Sequence, residues 1–148
     1  MATTTITTDN LQSTIQDNDI VILDFWAEWC GPCRNFAPVF EQASDTHEDI
    51  VFGKIDTEDQ QQLAGAFGIS SIPTLMVFRE GVGVFQQAGA LAAPQLEELI
   101  TGVRGLDMED VHKQVEAQKQ KLAEEQAAEQ SGAAGEPGRT PGTSPSDL

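Results

Sequence analysis

The sequence predicts an α/β domain, a central mixed β-sheet flanked by helices, followed by a C-terminal helical extension and a disordered tail. Three observations predict it. Strand-like apolar runs alternate with helical patterns through the first half of the chain, as in a layered sheet with crossover helices. Two further strand-like runs, separated only by Glu80-Gly81, read as an antiparallel hairpin. Beyond Gly105 the composition turns to Ala, Glu, Gln and Lys, which favour helix, and strand-like runs cease.

Thr3–Ile6 reads as a short first strand. A helix follows through Gln16, capped by Asp9 or Thr8, with Leu11 and Ile15 spaced i, i+4 on one face. Ile20–Ala27 is apolar almost throughout, as a strand covered on both faces must be. The next helix runs from about Pro32 to His47. Pro32 suits its first turn, whereas Pro38 lies within the apolar pattern Phe36, Val39, Phe40, Ala43, where it removes one backbone hydrogen bond and kinks the helix without ending it. Ile50–Asp56 is the next strand, and Asp59–Phe67 a short helix stopped by Gly68. Thr74–Arg79 and Val82–Ala88 are the hairpin strands. Pro94–Ile100 opens the last helix of the domain, with Pro94 near its first turn. The domain therefore occupies residues 1–105 in the order β-α-β-α-β-α-β-β-α.

Residues 106–130 form a charged helical extension. Its apolar positions, Leu106, Met108, Val111, Val115 and Leu122, are sparse, and Gln118 interrupts their stripe. A mostly solvated helix is the leading reading; docking on the domain and weak pairing with another chain stand as alternatives. Residues 131–148, rich in Gly, Pro, Ser and Thr, are expected to be disordered.

The net charge of −16 constrains partners more than fold. There are 15 acidic against 4 basic residues up to Gly105 and 9 against 4 beyond it, so neither part offers a phosphate-binding surface and no nucleic acid partner is expected. Such acidity favours a monomer and disfavours acidic client proteins. No apolar stretch approaches the ~18 residues of a membrane span, so no membrane partner is expected. The first residues lack the basic and long apolar regions of a secretory signal, which predicts a cytoplasmic protein.

The chemistry lies in the chain's two cysteines, in Trp29-Cys30-Gly31-Pro32-Cys33. They fall between a predicted strand and a predicted helix, with Cys30 at the helix start, where unpaired N–H groups and the helix dipole favour a thiolate. A Cys-x-x-Cys pair in the cytoplasm is more often redox or metal chemistry than a structural staple. A zinc site needs two more ligands, and only His47 and His112 are available, neither at ligand spacing, so no metal is expected. A reversible dithiol remains.

The segment Asp24-Phe25-Trp26-Ala27-Glu28-Trp29-Cys30-Gly31-Pro32-Cys33 resembles the active-site segment of bacterial thioredoxins at every position. Ala37-Pro38, Lys54-Ile55-Asp56, Ile72-Pro73-Thr74 and Gly89-Ala90 are similar too, so the resemblance covers about residues 5–104. Arg34-Asn35-Phe36 and the C-terminal extension depart from the family pattern. The resemblance implies a thioredoxin fold and a protein-disulfide reductase that binds no cofactor itself, takes reducing equivalents from NADPH through a flavoprotein thioredoxin reductase, and acts on disulfide-containing client proteins. It further implies a cis peptide bond before Pro73, which lies beside the dithiol and shapes the client groove, and a place for Asp24 beneath Cys33 with Lys54 close by. Gly31-Pro32 fits the reducing end of the family.

Individual residues then acquire expected roles. Cys30, at the exposed helix start, attacks the client disulfide; Cys33, one turn inward, resolves the mixed disulfide, leaving a Cys30–Cys33 redox disulfide. Asp24 is a carboxyl within an apolar strand, so burial raises its pKa and equips it to take the proton from Cys33. Lys54 either partners Asp24 or runs out to solvent. Trp29 covers Cys30 or contacts the client, while Trp26 packs in the core. Ile72, Pro73, Gly89 and Ala90 form, with Gly31 and Pro32, an apolar rim along which a client strand adds by main-chain hydrogen bonds. Two other functions compete: a binding or chaperone-like module using the extension, and an oxidase or isomerase built on the same chemistry.

Overall fold

A computed structural model describes residues 3–135 of the chain, which divides after Leu106 into two units. The first unit holds β1 (Thr3–Thr5), α1 (Leu11–Asp17), β2 (Ile20–Trp26), α2 (Gly31–Thr46), β3 (Val51–Asp56), α3 (Gln61–Ala66), β4 (Thr74–Arg79), β5 (Val82–Ala88) and α4 (Ala93–Arg104). The sheet order is β1-β3-β2-β4-β5, with β1, β3 and β2 parallel and β4 and β5 antiparallel to their neighbours. The expected mixed sheet and element order are present. β2 is central, and its residues 20–25 are all buried.

The pleat sorts β2 into two cores. Ile20 and Ile22 pack with Phe36 and Phe40 of α2, Phe52 of β3, Leu75 and Val77 of β4, and Leu96, Ile100 and Val103 of α4. Val21, Leu23 and Phe25 face the opposite layer, with Ile6, Ile55, Leu63 and Met76. Phe40 meets Phe36 and Phe52 at ring-centroid distances of 5.7 and 5.2 Å. By the same alternation Asp24 and Trp26 lie on the face covered by α2, and so do Lys54 and Asp56 of β3.

Local chemistry moves some boundaries. Asn10, and not Asp9 or Thr8, precedes α1; its side chain accepts the N–H of Thr7 (2.7 Å) and donates to the Thr5 carbonyl (2.9 Å), closing the turn after β1 instead of capping the helix. α3 starts two residues later than Asp59, because Asp56 Oδ1 accepts the N–H groups of Glu58 (2.9 Å) and Asp59 (3.4 Å) and holds them in a turn. Pro38 lies inside α2 without ending it. Glu80 and Gly81 both have positive φ, 52° and 81°, as a two-residue hairpin turn requires. At the far end of α4, Arg79 Nη1 reaches the carbonyls of Val103 (2.7 Å), Arg104 (3.1 Å) and Leu106 (3.2 Å), satisfying orphan acceptors of the last turn.

The second unit contains α5 (Met108–Gly135), a helix with Glu109 and Asp110 in its first turn and Leu122 half exposed. It runs past the predicted end at residue 130; the remainder of the expected tail, residues 136–148, lies outside the described residues. No helix among the described residues is long and apolar enough to cross a membrane.

Candidate active site

Cys30 and Cys33 form a disulfide at the start of α2, with Cα atoms 5.2 Å apart. Cys30 is the N-cap, in extended conformation, and its N–H donates to the Ala27 carbonyl (3.2 Å). Its Sγ accepts the N–H of Cys33 (3.1 Å), as an N-cap side chain does for the first helical turn. A reduced sulfur at this position meets the same donor and the positive end of a sixteen-residue helix, both of which lower the energy of a thiolate.

One expectation is corrected. Cys30 was expected at an exposed helix start, yet it is only 4% exposed and Cys33 2%. Trp26 and Ile72 pack against the cluster formed by Ala27, Cys30 and Cys33, which covers the disulfide. What distinguishes Cys30 is direction: its sulfur lies at the helix terminus, 3.8 Å from the Ile72 carbonyl.

That carbonyl belongs to a cis peptide bond, Ile72–Pro73, the cis geometry that the resemblance implied. Pro73 is buried, and its own carbonyl accepts the N–H of Gly89 (2.8 Å), so the loop after β5 is tied to the loop before β4. Gly89 has φ 106°, a conformation that a side chain would strain. Gly31 is half-buried, and Pro32, Gly89 and Ala90 are exposed. Trp29, 66% exposed, is the large apolar side chain most open to solvent beside the disulfide.

Asp24 is 1% exposed, and neither carboxylate oxygen has a hydrogen-bond partner. Burial pushes its pKa up to about 7, while the Lys54 ammonium pulls the other way. Lys54 is the β3 residue in register with Asp24, and its Nζ sits 4.8 Å from the centroid of the Trp26 ring. It thus acts on Asp24 through charge, and the half-buried residue places its ammonium over the Trp26 ring.

Several residues of the site carry no sequence signal. Thr57 donates its N–H (2.8 Å) and Oγ1–H (3.0 Å) to the Trp26 carbonyl, fastening the β3–α3 loop to the cysteine segment. With Trp29, Ala64, Ile69, Ser70, Ser71 and Ile72 it lines a groove of about 340 Å³ next to the disulfide. Thr57, Ser70 and Ser71 are loop positions without periodicity and Ala64 lies in α3; only the proximity of Ile69–Ile72 to Pro73 in sequence points toward the groove. His47 is engaged elsewhere, between Glu97 Oε1 (2.8 Å) and Arg104 Nη2 (3.2 Å). Among the described residues no group of three or more His, Cys, Asp or Glu could hold a metal ion.

The thioredoxin family model matches residues 2–102. This chain belongs to the thioredoxin family. A Streptomyces coelicolor protein carrying the name thioredoxin 2 is 54% identical over 117 residues, covering 79% of this chain and 87% of that protein. The thioredoxin of Alicyclobacillus acidocaldarius is 42% identical over 103 residues, 69% of this chain and 98% of that one. Among solved structures, a Plasmodium falciparum thioredoxin aligns with TM-score 0.63 at 36% identity, over 67% of this chain and 97% of that chain. A Halobacterium salinarum thioredoxin aligns with TM-score 0.65 at 35% identity, over 70% and 91%. The architecture is accordingly the thioredoxin fold. The match to the Streptomyces protein is longer than the family segment and therefore reaches past residue 102 into the extension. Family membership and a disulfide-forming Cys30–Cys33 pair make this chain a thiol-disulfide oxidoreductase with protein-disulfide reductase activity, and favour that function over the binding-module alternative.

Proposed function

We propose that this thioredoxin reduces disulfides of client proteins in the cytoplasm, with Cys30 as the attacking sulfur and Cys33 as the resolving one. The observation that carries the reading is Cys30 Sγ at the N-terminus of α2, facing the Ile72–Pro73 loop. The Cys30 thiolate attacks one client sulfur, forming a mixed disulfide and expelling the other client sulfur as a thiolate. Asp24 takes the proton from Cys33, whose thiolate then attacks Cys30 Sγ. The second client thiolate leaves, the Cys30–Cys33 disulfide forms, and two electrons have passed to the client. A pKa near 7 suits a group that must both accept and return a proton at neutral pH. Lys54 tunes that group by its charge.

Trp29, Gly31, Pro32, Ile72, Pro73 and Gly89 form the client-binding rim. An extended client segment lies along Ile72–Pro73 by main-chain contact, which explains breadth of substrates. Electrons return to the disulfide from NADPH through a thioredoxin reductase, completing a cycle of electron transport that maintains cell redox homeostasis. The protein works as a monomer, without nucleic acid, membrane or metal.

Insulin disulfide reduction coupled to NADPH oxidation by a thioredoxin reductase tests this. Sustained turnover is expected; a negligible rate from a protein whose dithiol titrates normally would reject it.

A further inference from the structure

The groove beside the disulfide is lined largely by apolar side chains, and exposed acids adjoin two of its lining residues along the chain. Its apolar lining is Trp29, Ala64, Ile69 and Ile72. Trp29 is preceded by Glu28, and Thr57, another lining residue, is flanked by Asp56 and followed by Glu58 and Asp59. Glu28, Glu58 and Asp59 are exposed, and the Asp56 turn fixes the backbone that presents the last two. Arg34 donates to the Glu28 carbonyl (3.3 Å), and Lys54 lies over Trp26.

We infer that this groove selects client segments in which a lysine or arginine flanks the attacked cystine. The inference rests on the reductase reading and adds a substrate class to it. A long basic side chain matches both parts of the groove: its methylene stem covers apolar surface, and its head reaches water and carboxylates at the rim. Arginine gains further from the exposed indole of Trp29. The groove shares Ile72 with the surroundings of Cys30, and Trp29 on its lining is the chain neighbour of Cys30, so a client docked there has its cystine at the reacting sulfur. Charge around the site also speeds encounter with cationic segments and slows it with anionic ones.

The test uses the reduced full-length protein and two cystine peptides that differ only in flanking lysine or glutamate, with bimolecular rates read by acid quench and chromatography. The lysine peptide is expected to react on the order of tenfold faster at low ionic strength, with roughly twofold carried by each of the three rim charges. The triple variant Glu28→Gln, Glu58→Gln, Asp59→Asn is expected to bring the ratio close to one. A remote triple variant, Asp17→Asn, Glu48→Gln, Glu80→Gln, removes the same charge from the opposite end of the sheet, about 20 Å away and beyond the ~10 Å screening length at 0.1 M salt, and is expected to keep it. Independently of any variant, the wild-type ratio is expected to collapse at about 1 M salt, where screening acts within about 3 Å. A ratio near one in the wild type with both peptides readily reduced overturns the inference and leaves the reductase reading intact. An equal loss in the remote variant overturns it too, assigning the preference to net charge. Failure to reduce either peptide, with a titratable dithiol, overturns both.

Discussion

Replacing Asp24 with Asn should stabilise the oxidised protein at alkaline pH and leave it nearly unchanged near pH 4. The carboxyl is 1% exposed, both oxygens lack partners, and its pKa rises from 3.8 in the unfolded chain to about 7 in the fold. The folded state therefore holds a proton that the unfolded state has lost between these values, and stability falls as pH rises through that window. At about 1.4 kcal/mol for each tenfold change in proton affinity, ionised Asp24 costs roughly 4 kcal/mol above pH 7 relative to pH below 3.8. Asn is close in shape to the protonated acid and stays neutral. The assay is guanidinium unfolding of both proteins, disulfide intact, from pH 4 to 8.5. The stability difference should begin near zero, grow through pH 5 to 7, and level off at roughly 4 kcal/mol in favour of Asn. Asp49, whose pKa is lowered to about 2 by its hydrogen bonds from Arg104, contributes stability that is lost only as pH falls below 3.8, outside this window. A difference independent of pH, or a wild type that gains stability from pH 4 to 7, would refute the reasoning.

Other consequences follow from the same geometry. Cys30→Ser should abolish insulin reduction, whereas Cys33→Ser should retain the first attack and accumulate mixed disulfides with clients, visible on non-reducing gels. Phe40→Ala should cost about 3–5 kcal/mol in denaturant unfolding, since a fully buried ring loses contact with Phe36 and Phe52. Gly53→Ala should cost about 1–3 kcal/mol, because the added Cβ lands 2.6 Å from Ile6 Cγ1 and 3.0 Å from Leu23 Cδ2 within the packed core of Ile6, Leu23 and Ile55. Removing everything after Leu106 should leave insulin reduction unchanged, because the family segment ends before that point; loss of reduction with the domain still folded would assign the extension a part in catalysis.

The strands were legible because burial on both faces leaves no room for polar residues: Ile20–Phe25 contains one, and that exception, Asp24, is the residue with the displaced pKa. The hairpin was legible from Glu80-Gly81, whose positive φ values few other pairs accommodate. The cysteine pair was legible from its place at a strand-to-helix junction. Helix boundaries were less so. Asn10 and Asp56 spend their side chains on turns, a choice made by which backbone N–H comes within reach after folding. The low exposure of Cys30 was hidden because Ile72, forty-two residues away, supplies the cover. The groove was hidden for the same reason: Trp29, Thr57, Ala64 and Ser70 come from four separate segments.

Position at the head of α2, more than openness to solvent, is what sets the two sulfurs apart. The most direct test is the pH dependence of iodoacetamide alkylation in the fully reduced protein, with the modified residue identified by peptide mapping. Residue 30 should be labelled first, with its reactivity rising at a pH clearly below the ~8.5 of an ordinary thiol, and residue 33 should lag. Labelling that begins at residue 33, or a profile centred on the ordinary thiol value, would contradict the account.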